Sequence, residues 1–426
     1  AGDRIGDRAG VVAHHDSEAL RLAGEAELDD VTAFVEAALV SHRRAAEQTA
    51  RLDLDAARVH LEAALELCVD GDRRRANLLY ELGTVVIKLG NLDAAQKIIL
   101  EAADEADRAG DIETWGMCMG GLDQMAWIAG DVAESDRIGD EAVARLEQHP
   151  PGPALARVYS ARAGRLWLKG DVTDETLAYV ERVRPVVEVH GDNDSRRRLL
   201  SAEGGARFDA GDPSGVEAFR QVVRMAIEAD DSQGIGGAYL NLGEQVRTGW
   251  GMTEAITVHD RGLEIALQRR TGGVEQFVRF ALAQDYLWAA RFDESLDHIE
   301  TVLASPERLP YLAGGFEATR LIIQACRGDL PDDAQGEIDR LMEYAAGIDD
   351  MQTIIPTWEA AAWTHLMLGD EGKAVEIARD IVGRSGASRF LFDSWPLPLW
   401  LLRRAGELER YEEIRDGLKR FDMPLP

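Results

Sequence analysis

The sequence predicts an all-α fold, a right-handed superhelical solenoid of about ten antiparallel helix pairs with a period near 40 residues. Three observations predict it. A break recurs at Gly90-Asn91, Gly130-Asp131, Gly170-Asp171 and Gly211-Asp212, in steps of 40, 40 and 41, and returns at Gly328-Asp329 and Gly369-Asp370. Between breaks, apolar residues fall at three- and four-residue spacing, which makes one stripe on a helix. Ala, Leu, Glu, Asp and Arg dominate, aromatics make up 6%, and no segment alternates in twos with Val, Ile and Thr. A fixed period of roughly 20–50 residues marks a stacked array, because a single pair cannot bury its own apolar face.

The stretch RANLLYELGTVVIKLGNLDAAQKIILEAADEADRAGD, residues 75–111, shows one unit in full. Leu78, Leu79, Leu82, Val85, Val86 and Leu89 form the first stripe. Gly90-Asn91 then breaks the helix, and Asn91 or Asp93 can cap the next. Ala94, Ala95, Ile98, Ile99, Ala102 and Ala106 form the second stripe, which Gly110-Asp111 ends. Trp250-Gly251 and Ala290-Arg291 fall on the same ruler. Extrapolation gives further turns near Ala50 and Glu407. Residues 1–28 then form a junction or capping helix, 29–393 the repeats, and 394–426 irregular capping helices, with Pro396 and Pro398 disturbing regularity. Pro185 falls inside a predicted helix and should kink it. Small residues at Gly83, Ala163, Gly204, Gly243, Ala283 and Ala362 allow close contact inside each pair.

This unit resembles a tetratricopeptide repeat (TPR). Leu79, Leu82-Gly83, Val86, Gly90-Asn91, Ala95, Ile99 and Ala102 occupy that family's places, and Tyr239, Leu242-Gly243, Val246, Gly251 and Ala255 repeat the match. The period near 40, against the family's usual 34, lengthens the second helices or the linkers. A narrower resemblance covers the whole chain. GDRIGDRAGVVAHHDSEALRLAGEAE, AAEQTARLDLDAARVHLEAALEL and AYLNLGEQVRTGWGMTEAITVHDRGLEIALQRRTGG are similar to the region that follows the ATPase core in bacterial STAND-type regulators, some cyclase-linked and others ending in a LuxR-type domain. That resemblance implies a C-terminal repeat sensor cut from an upstream ATPase, which binds a protein partner or a small inducer. The alternative is a free-standing TPR scaffold that binds a protein partner.

The charge narrows the partners. Against 47 Lys and Arg stand 77 Asp and Glu, a formal net charge of −30. With no basic stripe, the chain is not expected to bind nucleic acid. No apolar run reaches the roughly 20 residues of a membrane span, and no apolar signal core opens the chain. Cys68, Cys118 and Cys326 lie far apart and read as small buried side chains of a cytoplasmic protein.

No catalytic constellation is expected, and no cofactor. GDEGKAV, residues 369–375, lacks the upstream Gly and the following Ser or Thr of a phosphate loop. His14 and His15 are adjacent, so on a helix they point about 100° apart and cannot share a metal. The other histidines form no cluster along the sequence. GDNDSRRR, residues 191–198, has Arg196 where a calcium loop needs an acid, so it reads as a helix cap followed by a solvated Arg run. In tetratricopeptide arrays the first helix of each pair lines the concave groove. Transferring that register makes Asn77, Tyr80, Gln124, Trp127, Arg157, Trp167, Arg198, Glu244, Arg247, Gln284 and Trp288 the candidate binding residues. Each Trp could equally be core between helices.

Overall fold

The computed structural model describes residues 8–50, 53–69, 71–89, 91–129, 131–168, 173–269, 271–306, 308–346, 351–385 and 396–418. Among them lie 21 helices and no strand. Helix α1 (Ala9–Glu25) precedes ten pairs. The first five are α2 (Thr32–Thr49) with α3 (Leu54–Glu66), α4 (Arg74–Lys88) with α5 (Leu92–Ala109), α6 (Ile112–Ile128) with α7 (Val132–Leu146), α8 (Pro153–Leu168) with α9 (Thr173–His190), and α10 (Asn193–Asp209) with α11 (Gly215–Glu228). The next five are α12 (Ser232–Trp250) with α13 (Met252–Arg269), α14 (Gly272–Trp288) with α15 (Phe292–Leu303), α16 (Pro310–Arg327) with α17 (Ala334–Ala346), α18 (Met351–Met367) with α19 (Glu371–Ser385), and α20 (Pro396–Arg404) with α21 (Leu408–Leu418). The first helix of each pair is termed A and the second B. Among the described residues, the helices form the predicted all-α array of ten pairs.

The ruler has a geometric cause. At Gly110, Gly211, Gly328, Gly369 and Gly406 the backbone is left-handed. The next N–H then reaches back to close the helix, as from Asp212 to the Arg207 carbonyl at 2.9 Å and from Asp370 to the His365 carbonyl at 2.8 Å. The acidic residue after such a glycine, or the Asn or Asp before a new helix, supplies the cap. Asn91, Asp111 and Asp192 each accept a backbone N–H three residues on, at 3.1, 3.0 and 2.8 Å. Gly90, Gly130 and Gly170 lie outside the described residues.

Ala290 is the informative exception. It sits where the ruler wants glycine, and its φ is +56°. The Arg291 N–H bonds the Tyr286 carbonyl at 2.8 Å, so the same closing motif forms without glycine. A left-handed L-residue costs about 1–2 kcal/mol, part of which glycine forfeits through its freer unfolded chain. Ala290 is exposed, so its methyl group contributes no core packing. Ala290→Gly is therefore expected to stabilise the chain by about 0.5–1 kcal/mol, read as a higher urea midpoint with an unchanged slope.

Two compact units divide the chain, Ala1–Ala126 with Ala133–Val158, and Trp127–Val132 with Tyr159–Pro426. In the first, α1 packs on α2, α2 on α3, α3 on α4 and α4 on α5. The small residues work as expected there, because a Cβ on Gly83 would lie 2.4 Å from Ile99 of the partner helix. In the second unit α10, α12, α14, α16, α18 and α20 each pack on the B helix that follows. A helices also touch one another, α10 to α12, α12 to α14, α14 to α16, α16 to α18 and α18 to α20. Its main core joins Phe316, Leu321, Ile323, Ile338, Ile381 and Leu401, all fully or almost fully buried. Helix α9 continues through Pro185 to His190, and α18 likewise contains Pro356. Pro396 is the first residue of α20, where its missing N–H has no intrahelical partner to lose. Residues 394–395 and 419–426 of the expected terminal cap lie outside the described residues.

Candidate functional site

In the second unit, α14 carries one continuous half-buried stripe, Phe277, Phe280, Gln284 and Trp288. Spacings of three, four and four residues keep them on one side of the helix. Phe277, Phe280 and Trp288 pack on the main core while each keeps part of its surface free. The Phe280 ring meets buried Phe316 of α16 edge-on, with centroids 5.1 Å apart. On neighbouring α12, Leu240 and Glu244 are half-buried too. On α10, half-buried Arg198 pairs with Asp194 at 2.8 Å. Burial, together with the Arg198 guanidinium, pulls Arg165 down to about 10. Trp127 is also half-buried. The sequence register named Gln284 and Trp288 but not Phe277 and Phe280. Extending the stripe back by four and seven residues from Gln284 would have found both.

Three of the named residues are buried instead. Tyr80 is part of the first unit's core. Trp167 is enclosed, donates from Nε1 to Asp209 Oδ2 at 3.1 Å, and lies so close to Gly205 that a Cβ there would sit 2.1 Å from its ring. Arg247 is 1% exposed. Its Nη1 donates to Asp285 Oδ1 at 3.0 Å and its Nη2 to Glu244. Asp285 in turn faces His259 Nδ1 at 2.6 Å. Arg247 therefore meets the α12–α14 face through Glu244. Neither His259 nor Asp285 was singled out by the sequence, because they lie 26 residues apart on different helices.

The first unit holds Asn77, Tyr80, Gln124 and Arg157. Asn77 Oδ1 accepts from Arg43 at 2.7 Å, and the same guanidinium reaches Glu81 at 2.7 Å. Half-buried Arg157 lies along Gly120 of α6, and Gln124 is half-buried one turn further on. The same unit corrects one expectation. His42 and His60 do cluster, with their Nδ1 atoms 3.0 Å apart, and Ser17 Oγ lies 2.8 Å from His42 Nε2. Helices α1, α2 and α3 bring together residues that no sequence spacing relates. A cleft of about 540 Å³ lies between α1 and α2, lined by Val12, Asp16, Ala37, Val40 and Arg44 among others.

Burial lowers His42, with His60 adding to the effect, and burial lowers His60 as well. Protonating both rings would set two N–H groups face to face. A histidine whose folded value lies below its unfolded one contributes stability that is full above about pH 6.5 and is lost as pH falls through the folded value. Acidification below pH 6.5 is therefore expected to raise hydrogen exchange in α1–α3. The double variant His42→Asn with His60→Asn is expected to flatten that dependence.

His14 and His15 are exposed on α1 with ring centroids 5.8 Å apart. Among the described residues no group of three or more His, Cys, Asp or Glu converges as a metal site. No described helix is long and apolar enough to cross a membrane. Cys118 is buried, and burial pushes its thiol up to about 12, but Cys326 is exposed rather than buried. Asp192 caps α10 as expected, but the Arg run divides, with Arg196 exposed, Arg198 half-buried and Arg197 enclosed. Arg197 is buried and paired with Asp231 and Asp194.

No family model and no curated protein matches the sequence. The fold does have solved counterparts. The chain is similar to a Rap protein complexed with competence and sporulation factor, with a TM-score of 0.52 and 11% identity over 89% of this chain and 99% of that one. It is similar at a TM-score of 0.48 and 11% identity to a STAND protein with a tetratricopeptide repeat sensor from Pyrococcus horikoshii, over 88% of this chain and 55% of that one. The apo quorum sensor NprR from B. thuringiensis follows at 0.40 and 14%, over 71% and 94%. At such identities the likeness is one of fold, and the fold is a TPR-like helical repeat.

Proposed function

We propose that the chain is a non-catalytic interaction module that binds a peptide segment of a protein partner on the A-helix face of its second unit. The observation that supports this most is the α14 stripe with Glu244 beside it. Three aromatic rings are anchored in the core yet partly open, and Gln284 and Glu244 among them offer directional polar contacts. Partly exposed, well-anchored aromatics are the usual centre of a binding surface. The Rap protein of similar fold is complexed with competence and sporulation factor, which agrees with an interaction role. Peptides selected on the full chain by phage display would be titrated calorimetrically against Phe277→Ala with Gln284→Ala. Binding that survives undiminished in this folded variant would remove the face from the reading.

We further propose that the module belongs to a larger STAND-type ATPase regulator. The support is the likeness of residues 2–27 and 45–67 to the segments that follow such ATPase cores. Reading the coding sequence upstream of Ala1 tests it. A phosphate-loop motif within several hundred codons is expected, and an initiation codon directly before Ala1 would leave a free-standing scaffold instead.

A further inference from the structure

Four charged side chains join α12, α13 and α14: Glu244, Arg247, His259 and Asp285. Their hydrogen-bond geometry fixes a proton count. His259 Nε2 lies 3.1 Å from the Leu240 carbonyl oxygen, and Nδ1 lies 2.6 Å from Asp285 Oδ2. A carbonyl oxygen has no hydrogen to give, so Nε2 must be the donor. The contact between Nδ1 and Oδ2 then needs a second hydrogen. The Arg247 guanidinium already donates to the other carboxylate oxygen at 3.0 Å, the arrangement of a cation on a carboxylate. The second hydrogen therefore belongs to Nδ1, and His259 is an imidazolium inside the protein.

The groups that face this ring are Glu244, Arg247 and the Leu240 carbonyl from α12, and Asp285 from α14. Glu244 Oε1 stands 3.9 Å from Nε2. Asp260 follows it on its own helix. His259 and Asp285 are 0% exposed. A Cβ on Gly243 would lie 2.1 Å from Nε2, so the ring rests on the α12 backbone with no room to turn. Burial alone would lower His259, but the Asp285 bond and the Asp285 and Glu244 charges outweigh it and hold it above its ordinary value. With the proton in place, the quartet carries two positive and two negative charges. Without it, one ring nitrogen loses its bond and a net negative charge remains between the helices.

We propose that the His259 proton is a lock between α12 and α14, and that it regulates the ligand-binding face those two helices carry. The regulatory part rests on the face proposed above, because Glu244 is at once a member of the quartet and a residue of that face. Loss of the proton loosens the joint between Glu244 on one helix and Gln284 and Trp288 on the next. Occupancy of the face is then linked to pH, weakening as pH rises.

The lock is tested without any ligand. The full chain labelled with 15N-histidine would be followed by imidazole 1H–15N spectroscopy from pH 5.5 to 9, with His259 assigned by the signals lost in His259→Gln. A free histidine is mostly neutral at pH 7.5. His259 is expected to show two protonated nitrogens there. As it titrates at higher pH, exchange protection in α12 and α14 is expected to fall at least tenfold while α18 keeps its own. A His259 with one protonated nitrogen at pH 7.5 overturns the proposal, and so does unchanged α12–α14 protection through its titration. A face that binds no peptide would leave both readouts intact, and a failed lock would leave the face intact.

Discussion

Asp285→Ala is expected to destabilise the α12–α14 region by about 3–5 kcal/mol, the range for breaking a buried ion pair by removing one partner. The carboxylate receives Arg247 on one oxygen and His259 on the other, and all three side chains are essentially enclosed. Removing it leaves the buried guanidinium and imidazolium to share the half-buried Glu244 carboxylate. The region would relieve this by opening, and hydrogen exchange reads that opening locally where a global midpoint blurs it. A triple variant gives the matching control. Arg247→Met, His259→Leu and Asp285→Leu together remove the three enclosed charges and leave half-buried Glu244, so most of the desolvation cost leaves with the attraction. It is expected to lose less stability than Asp285→Ala alone. If the triple variant is the less stable of the two, the quartet contributes net stability rather than specific helix register.

The His42–His60 pair and His259 give opposite pH responses in the two units. His42 and His60 lie below their ordinary value, so they oppose acid. His259 lies above it, so its contribution is full below about pH 6.5 and is lost as pH rises through the folded value. Exchange measured in α1–α3 and in α12–α14 should therefore move in opposite directions across one pH series.

The helix pairs were legible in the sequence because the turns are written locally. A left-handed residue, a cap three residues from the N–H it holds, and an apolar stripe each occupy a few consecutive positions. Even Ala290 could be placed by step length alone. For the proposed face, the register placed Gln284, Trp288, Glu244 and Arg198 on A helices, and they are half-buried there. Arg247 was not. One residue type serves a ligand on a face and an ion pair between faces, and the choice depends on Asp285, 38 positions away. The same holds for His42 and His60, whose meeting depends on helix packing and not on spacing.

The tryptophans carry the second large effect, and they divide by environment. Trp167→Ala is expected to cost about 3–5 kcal/mol of local stability, the range for emptying an aromatic site in a core. Its ring meets Phe219 at a tilt with centroids 5.7 Å apart, lies on Gly205 and is tied by its N–H to Asp209. No neighbouring backbone can collapse into that space without moving α10. Trp288→Ala removes a half-buried ring from the end of the α14 stripe, so its stability cost should be near 1–2 kcal/mol, in proportion to the smaller area withdrawn from water. Its effect on a bound peptide should be the larger one, about 2 kcal/mol or roughly a 30-fold weaker Kd, as for an anchoring aromatic in an interface. Measured on the same selected peptide, Trp167→Ala should change affinity only as far as it unfolds the chain. Equal losses of affinity at equal folded fractions would mean that burial does not separate the two roles, and the α14 stripe would then have no better claim to the ligand than the core beneath it.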